Sequence, residues 1–445
     1  MNDVLVTVYI VNFNYLKYIE QAIQSVLSQS YKKIEIIIID DCSTDGSQDF
    51  LRRYHDYPNI RVVFNTKNLG LTKVNNIAIK LSSGQYIMRL DADDYLDPNA
   101  IKILLEKFSE NSEYAMVFGN WYNVDKEGNI LSEERRFNIE DVELLDMPAH
   151  GACTMFKTGV LRRINGYDES IKKQDGYDIW LKLIFDHKVA NVQIPIFYYR
   201  IHGNSLSSNR ESLLESRHEL FKKHAPRLNS KIKVAALLTI RNSEIEPNEV
   251  LYEEYENKTL LEVIVQNLAA AEQIDKIFIA TSDKRVIDLV KKSPDFDLNI
   301  LLRPKELEYL HVDLQSTLDY FKVQMRQYDA VLLRSLQSPF VSSTHIDAAV
   351  NYMRIFKVDE VIAVVPEDDS MYSYSTKGMT RVFDPNSKLR REGDQLYRKV
   401  PGFKLCSRIA DSKVHEWRIG NVILDELSAI TDQNFKLFKK WTKSN

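Results

Sequence analysis

The sequence predicts an α/β protein of two domains, each a mainly parallel sheet flanked by helices. Three observations lead there. Strand-like and helix-like segments alternate from the N-terminus, the alternation restarts after a polar, turn-rich stretch, and 445 residues exceed what one hydrophobic core organises.

Alternation of this kind builds βαβ units. The first series reads Val4–Val11 as strand, Tyr18–Gln29 as helix, Ile34–Ile39 as strand, Ser47–Tyr54 as helix and Ile60–Asn65 as strand. The second reads Lys233–Thr239 as strand, Thr259–Ala271 as helix, Lys276–Ala280 as strand, Lys284–Lys292 as helix and Ala330–Arg334 as strand. Between them stand the turn formers Gly203-Asn204-Ser205-Leu206-Ser207-Ser208-Asn209, a charged helix and Pro226, the pattern of a domain junction. The expected domains are therefore residues 1–228 and 229–445, with no internal repeat and no low-complexity tract.

Composition narrows the function classes. Apolar residues at 44% and charged residues at 27% are ordinary for globular domains. Lys plus Arg number 59 against 63 Asp plus Glu, a net charge of -4 that gives a nucleic-acid backbone nothing to bind. Cys42, Cys153 and Cys406 form neither a metal-ligand spacing nor a disulfide framework, which suits a reducing cytoplasm. No basic run precedes the first apolar segment, so no signal peptide is expected. The apolar runs are too short for the roughly 20 residues a spanning helix needs, so any membrane contact is expected to be peripheral, at the inner face.

Two acidic strand ends carry the chemistry. Ile36–Ile39 runs into Asp40-Asp41-Cys42-Ser43-Thr44-Asp45-Gly46-Ser47, and ligands of open parallel sheets bind beyond the carboxyl ends of strands. Asp45 and Ser47 also read as caps of the following helix. The strand Tyr86–Leu90 ends in Asp91-Ala92-Asp93-Asp94. Crowded carboxylates repel unless a hard cation such as Mn²⁺ or Mg²⁺ compensates them, and such a cation also bridges a diphosphate. The other reading makes Asp93-Asp94 with Asp97-Pro98 a turn and helix start.

In order and spacing, residues 6–14, 18–31, 35–47, 68–70 and 90–94 resemble the family 2 glycosyltransferases of the GT-A fold. The resemblance continues through His150-Gly151-Ala152, Ile164-Asn165-Gly166-Tyr167-Asp168 and Tyr177-Asp178-Ile179-Trp180 to Tyr199-Arg200-Ile201-His202. It implies an inverting, metal-dependent transferase that takes a sugar from a nucleotide-diphosphate donor, UDP being the prior. The acceptor it implies is a hydroxyl of a glycan or lipid-linked glycan in surface polysaccharide assembly. By the same resemblance Asn12 and Asn14 with Asp40 and Asp41 hold the nucleobase and ribose, Asp93 the divalent ion and Asp91 the ribose side, while His202 approaches the metal or diphosphate. Family members carry an acidic pair just before Tyr-Asp-Leu-Trp, where this chain reads Gln174-Asp175-Gly176-Tyr177-Asp178-Ile179-Trp180. A carboxylate there can deprotonate the attacking hydroxyl. Asp175 is the first candidate and Asp178 the second, because Gly176 shifts the register. A structural reading has Asp175 start a helix with Ile179, Trp180, Leu183 and Ile184 on its apolar face and Asp178 in a salt bridge. Residues 120–150, Trp121 and His150 among them, fall where acceptor loops are expected.

Residues 232–435 resemble cytidylyltransferases that activate acidic sugars, on Ala235–Arg241, Lys258–Glu262, Ile274–Asp283, Arg303–Leu307 and Leu332–Phe340. The nucleotide loop of that family is rich in Gly and Lys, to neutralise a triphosphate. This chain carries Glu244 and Glu249 where the lysines are expected, and Val341 where an Arg is expected. A retained fold without nucleotidyl transfer is therefore expected, with Arg241, Arg334, Asp425 and Asp432 as members of a modified site if one is kept and homo-oligomer formation through this domain left open. Two alternatives stand: a bifunctional enzyme that also makes an activated sugar, and a non-catalytic nucleotide- or carbohydrate-binding protein.

Overall fold

The computed structural model describes residues 4–171, 173–202, 210–228, 231–241, 249–292, 297–308, 314–367, 371–375, 378–383, 389–391, 397–407, 418–431 and 434–435. The chain forms two compact units, residues 1–216 with 369–395 and residues 217–368 with 396–445. The division falls inside the helix Arg210–Leu228 rather than at its end. Its second half buries Leu220, Phe221 and Ala225, and Phe221 meets Tyr352 and Phe356 edge-on, so those residues belong to the second core.

In the first unit the chain runs β1 (Val6–Asn12), α1 (Leu16–Leu27), β2 (Ile34–Asp40), α2 (Ser47–Leu51), β3 (Ile60–Phe64), α3 (Leu71–Leu81) and β4 (Tyr86–Asp91). It continues with β5 (Tyr95–Leu96), α4 (Ala100–Glu110), β6 (Tyr114–Val124), β7 (Ile130–Arg135), β8 (Met155–Lys157), α5 (Thr158–Arg163), α6 (Asp175–Leu183) and β9 (Lys188–Arg200). The order β3-β2-β1-β4 is parallel throughout. β2 is apolar on both faces, with Ile36 to Ile39 fully buried, as a central strand covered by helices on both sides must be. α1 turns Ile19, Ala22, Ile23 and Val26 onto the sheet, the i, i+3, i+4, i+7 stripe of an amphipathic helix.

Beyond β4 the sheet changes character. β8 runs antiparallel to both β4 and β6, β7 antiparallel to β6, and β9 parallel to β6 along almost its whole length. Leu389–Arg391 adds a parallel strand on β7, opposite Glu133–Arg135, which is why residues 369–395 join this unit. The predicted helix over 47–54 closes early: α2 ends at Leu51 and a 3₁₀ turn covers Arg52–Tyr54.

The second unit centres on Val234–Thr239, buried along its length, with Lys276–Thr281 and then Leu298–Leu302 parallel on one side and Ala330–Ser335 parallel on the other. Tyr397–Ser407 then runs antiparallel, followed by Glu360–Pro366 and Ile419–Ile423. The helix Leu260–Ala270 starts with a capping box: Thr259 Oγ1 accepts from the Glu262 amide and the Glu262 carboxylate accepts from the Thr259 amide. Among the described residues no helix is long and apolar enough to cross a membrane.

Candidate functional site

β1 has β2 on one side and β4 on the other, so the strand order reverses at β1, the place where an open α/β sheet leaves a crevice. The parallel register sets Asn12 opposite Asp40 and Val11 opposite Asp91. With strands about 4.8 Å apart, the two acidic strand ends lie roughly 10 Å from each other on one edge of one sheet.

Asp40 is fully buried. Its Oδ2 accepts from Asn12 Nδ2 at 2.7 Å, and its Oδ1 accepts from the Ser43 amide at 2.9 Å and Gln48 Nε2 at 3.1 Å. Asn12 Oδ1 is buried with no hydrogen-bond partner among the described residues. Asn14 adopts a left-handed φ of 61°, its amide donating to Ser43 Oγ and its Oδ1 accepting from the Thr44 amide. Asp41 grips the next loop, accepting from Asn65 Nδ2 and from the amides of Leu69 and Gly70. Thus Asp40 and Asp41 tie the loops at 43–48 and 65–70 to the ends of β1 and β2. Asp45 caps both neighbouring helices: it accepts from the amide and hydroxyl of Ser47 at the start of α2 and from the Leu16 amide at the start of α1, at 2.8 Å.

The second strand end is more strongly charged. Asp93 Oδ2 lies 2.8 Å from His202 Nε2, the last-described part of the segment that β9 delivers. Delivery is enforced by Arg200, whose amide donates to Asp94 Oδ1 and whose guanidinium is spent on the carbonyls of Asp93, Asp125 and Lys126 and on Gln21. The rings of Tyr15 and Tyr18 flank His202 at 5.7 and 6.3 Å. Burial, then the charges of Asp93 and Asp91, raises the Tyr15 hydroxyl well above its ordinary value. Burial pushes Asp91 up to about 6, Arg89 opposing it and Asp93 and Asp175 adding to it. Asp94 is raised too, by burial and then by its two acidic neighbours.

Arg89 joins this end to the candidate base. Only 5% exposed, it sets Nη1 2.7 Å from Asp175 Oδ2 and Nε 3.0 Å from Asp91 Oδ1, the latter an ion-pair contact rather than an aligned hydrogen bond. Asn75 Nδ2 donates to the same Asp175 Oδ2 at 3.2 Å. Asp178 stands elsewhere: 1% exposed, it pairs at 2.6 Å with Lys182, which also donates to the Gly166 carbonyl. Asp175 is thus linked through Arg89 to Asp91, whereas Asp178 anchors α6, whose buried face includes Ile179, Trp180 and Leu183. Gly176 and Gly151 make the approach: a Cβ on Gly176 would meet Gly151 Cα at 3.2 Å, and one on Gly151 would meet Arg89 Nη2 at 2.9 Å.

Trp121 lies inside, and His150, half-buried in a loop, packs onto it. Trp121 is on β6, 8% exposed, and His150 packs against Trp121, Phe197 and Tyr199 with ring centroids 4.8 to 5.2 Å apart. Burial, then Arg89, lowers His150 to about 4. An unfolded histidine titrates near 6.5, so the unfolded chain takes the proton first, and stability present above pH 6.5 is lost as pH falls toward 4. Urea unfolding is expected to show a loss of about 2 kcal/mol between pH 7 and 5 that His150→Phe lacks; equal slopes in both proteins would contradict it.

Sequence reasoning missed Arg89, Asn75 and Tyr15. Arg89 had a signal, since a charged residue inside the apolar run Tyr86–Leu90 must find a partner once buried. Asn75 had a weaker one, falling on the buried stripe of α3 with Val74, Ala78 and Ile79.

A divalent cation fits this charge pattern. Asp93 stands beside Asp91 and Asp94, whose carboxyls burial and their acidic neighbours raise, and a hard cation relieves that crowding of negative charge. Among the described residues no three Asp, Glu, His or Cys side chains form a ready-made cage. Mg²⁺-like ions commonly take one or two carboxylates and complete their shell with phosphate oxygens and water, so Asp93 with His202 suffices as a protein share.

In the second unit Arg334 is fully buried and donates to Ser338 and the Gly402 carbonyl, burial lowering it to about 9. Val341 is buried, and Glu249 lies 3.5 Å from Arg285. Asp425 accepts from Ser428 and lies 3.5 Å from His345 Nε2. Arg241 lies two residues beyond the end of the central strand. Glu244 and Asp432 lie outside the described residues, as do residues 203–209.

Residues 7–166 match the family described as glycosyl transferase family 2, and residues 252–438 match the cytidylyltransferase family. A chondroitin synthase of Escherichia coli is 31% identical over 218 residues, 48% of this chain and 31% of that protein. The UDP-Glc:alpha-D-GlcNAc-diphosphoundecaprenol beta-1,3-glucosyltransferase WfaP of Escherichia coli is 31% identical over 210 residues, 46% of this chain and 81% of that protein. The chain spans less than a third of the length of the first three curated relatives. Among solved structures, Pyrobaculum calidifontis mannosyltransferase PcManGT in complex with GDP-Man and Mn²⁺ aligns at 16% identity and a TM-score of 0.40, over 51% of this chain and 65% of that one.

Proposed function

The chain belongs to glycosyl transferase family 2, and we propose that its first unit transfers a sugar, with inversion, from a nucleoside-diphosphate donor to a hydroxyl of a glycan or lipid-linked glycan. The observation that carries this reading is the single constellation Asp93–His202 and Asp91–Arg89–Asp175 at the switch point of a parallel sheet. A bound divalent cation, held by Asp93 and His202, would neutralise charge on the leaving diphosphate. Asn12, Asn14 and the loops tied down by Asp40 and Asp41 form the nucleoside end of the crevice. Asp175 Oδ2 is held by Arg89 and Asn75, which leaves Oδ1 to accept the proton of the acceptor hydroxyl. As that proton leaves, the hydroxyl oxygen bonds to the anomeric carbon and the bond from that carbon to the phosphate oxygen breaks on the opposite face.

UDP-linked donors and a diphosphoundecaprenol-linked acceptor head the list to test, because the WfaP relative uses both by its name. A lipid-linked acceptor would bring the enzyme to a membrane face as a peripheral protein, in polysaccharide assembly. UDP, GDP, dTDP and CMP sugars, each with and without Mn²⁺, should be assayed by nucleotide release and thermal shift. Metal-dependent release from one donor class is expected; no release or shift with any donor would overturn the reading. In the same assay Gly151→Ala is expected to cost roughly tenfold in kcat, because its Cβ displaces Arg89 and with it Asp175; unchanged kcat would show that the guanidinium moves aside harmlessly.

For the second unit we propose a cytidylyltransferase fold that no longer transfers a nucleotidyl group. Glu249 and Val341 at the expected Lys and Arg positions support it, as does Arg334, which is committed to internal hydrogen bonds. The family match favours the bifunctional alternative, which CTP-dependent pyrophosphate release would establish.

A further inference from the structure

We propose that Arg89 is a positioning residue for sugar transfer, fixing the orientation of Asp175 and its distance from the donor through simultaneous ion pairs to Asp175 and Asp91. The inference rests on the transferase reading above and adds to it the group that makes the base and the donor site one unit.

The geometry is specific to a guanidinium. Arg89 lies on β4 two residues before Asp91, so both side chains emerge on the same face of the strand, at its carboxyl end. Its planar fork spends Nε and Nη2 on Asp91, at 3.0 and 3.4 Å, and Nη1 on Asp175 at 2.7 Å. Asp175 reaches it from the first turn of α6, where a Cβ on Gly176 would meet Gly151 Cα at 3.2 Å and one on Gly151 would meet Arg89 Nη2 at 2.9 Å. Both hydrogen bonds to Asp175, from Arg89 and Asn75, land on Oδ2, and among the described residues Oδ1 accepts none. One oxygen is therefore clamped and the other presented. A lysine at 89 would place one ammonium where the fork now spans two carboxylates, and could not hold both in register.

The test is a double-mutant cycle on the full-length protein, using Arg89→Lys, Asp175→Asn and both together. Single-turnover nucleotide release is measured with whichever donor of the panel above turns over fastest, and binding is measured with UDP and Mn²⁺. Arg89→Lys alone is expected to lower the rate by at least about tenfold while UDP affinity changes less than about threefold. In the Asp175→Asn background the same substitution is expected to cost less than about twofold, because the group it positions is already disabled. Equal fold losses in both backgrounds, an unchanged rate in the single variant, or loss of UDP binding as large as the loss of rate would each overturn the proposal, the last by making Arg89 a support of the donor site. Full turnover in Asp175→Asn would instead sink the assignment of the base, a result separable from the behaviour of Arg89.

Discussion

Asp175→Asn is expected to lower kcat by about 10²–10³-fold while leaving the affinity for UDP with Mn²⁺ within about threefold of wild type. The two consequences separate because of how the carboxylate is held. An asparagine can turn its oxygen toward Arg89 and Asn75 and keep both hydrogen bonds now made by Oδ2. Its amide nitrogen then occupies the place of Oδ1 and can donate a hydrogen bond but not take a proton. The donor side of the crevice keeps Asp91 and Asp93, so nucleotide binding persists. The same substitution at Asp178 acts differently: it removes the carboxylate charge from a buried pair with Lys182, and lowers the melting temperature along with the activity. Rates and melting curves for the two variants distinguish a base from an anchor, and a fully active Asp175→Asn enzyme would refute the assignment.

Asp93→Ala is expected to cost on the order of 10²-fold in kcat/KM and to abolish the dependence of UDP binding on Mn²⁺. The carboxylate is the acidic half of the pair with His202, and its removal also frees the imidazole from its 2.8 Å partner. Treating wild type with a chelator and then restoring Mn²⁺ should recover activity, whereas Asp93→Ala treated identically should not respond. A variant that still responded to Mn²⁺ with wild-type affinity would move the cation elsewhere.

Much of the fold was legible because its signals are local. The continuous apolar run of β2 requires a strand covered on both faces, and the spacing of Ile19, Ala22, Ile23 and Val26 requires a helix packed on one side. The start of α6 at Asp175 and its apolar face were likewise readable. What the sequence could not supply were pairings between distant segments. That β8 runs antiparallel between β4 and β6, or that Leu389–Arg391 joins β7 across more than 250 residues of chain, is fixed by tertiary packing and leaves no periodicity to read.

The site divides the same way. Asp91, Asp93 and His202 stood out by residue type and position, and β9 brings His202 to Asp93. Asp175 and Asp178 could not be separated by pattern, since residues three apart share a helix face. The partner decides: Lys182, one turn after Asp178, takes that carboxylate inward, and Arg89, from another strand, takes the other. Asp40 and Asp41 stood out by their place at a strand end, but the donors they hold lie in the loops at 43–48 and 65–70, where proximity rather than sequence spacing matters.

The most direct measurement is diffraction at the manganese absorption edge from crystals grown with UDP and Mn²⁺. One anomalous peak is predicted between Asp93 and His202, touching the UDP diphosphate, with the uridine running toward Asn12 and Asn14. Nucleotide or manganese bound only away from the ends of β1 and β4 would contradict the account.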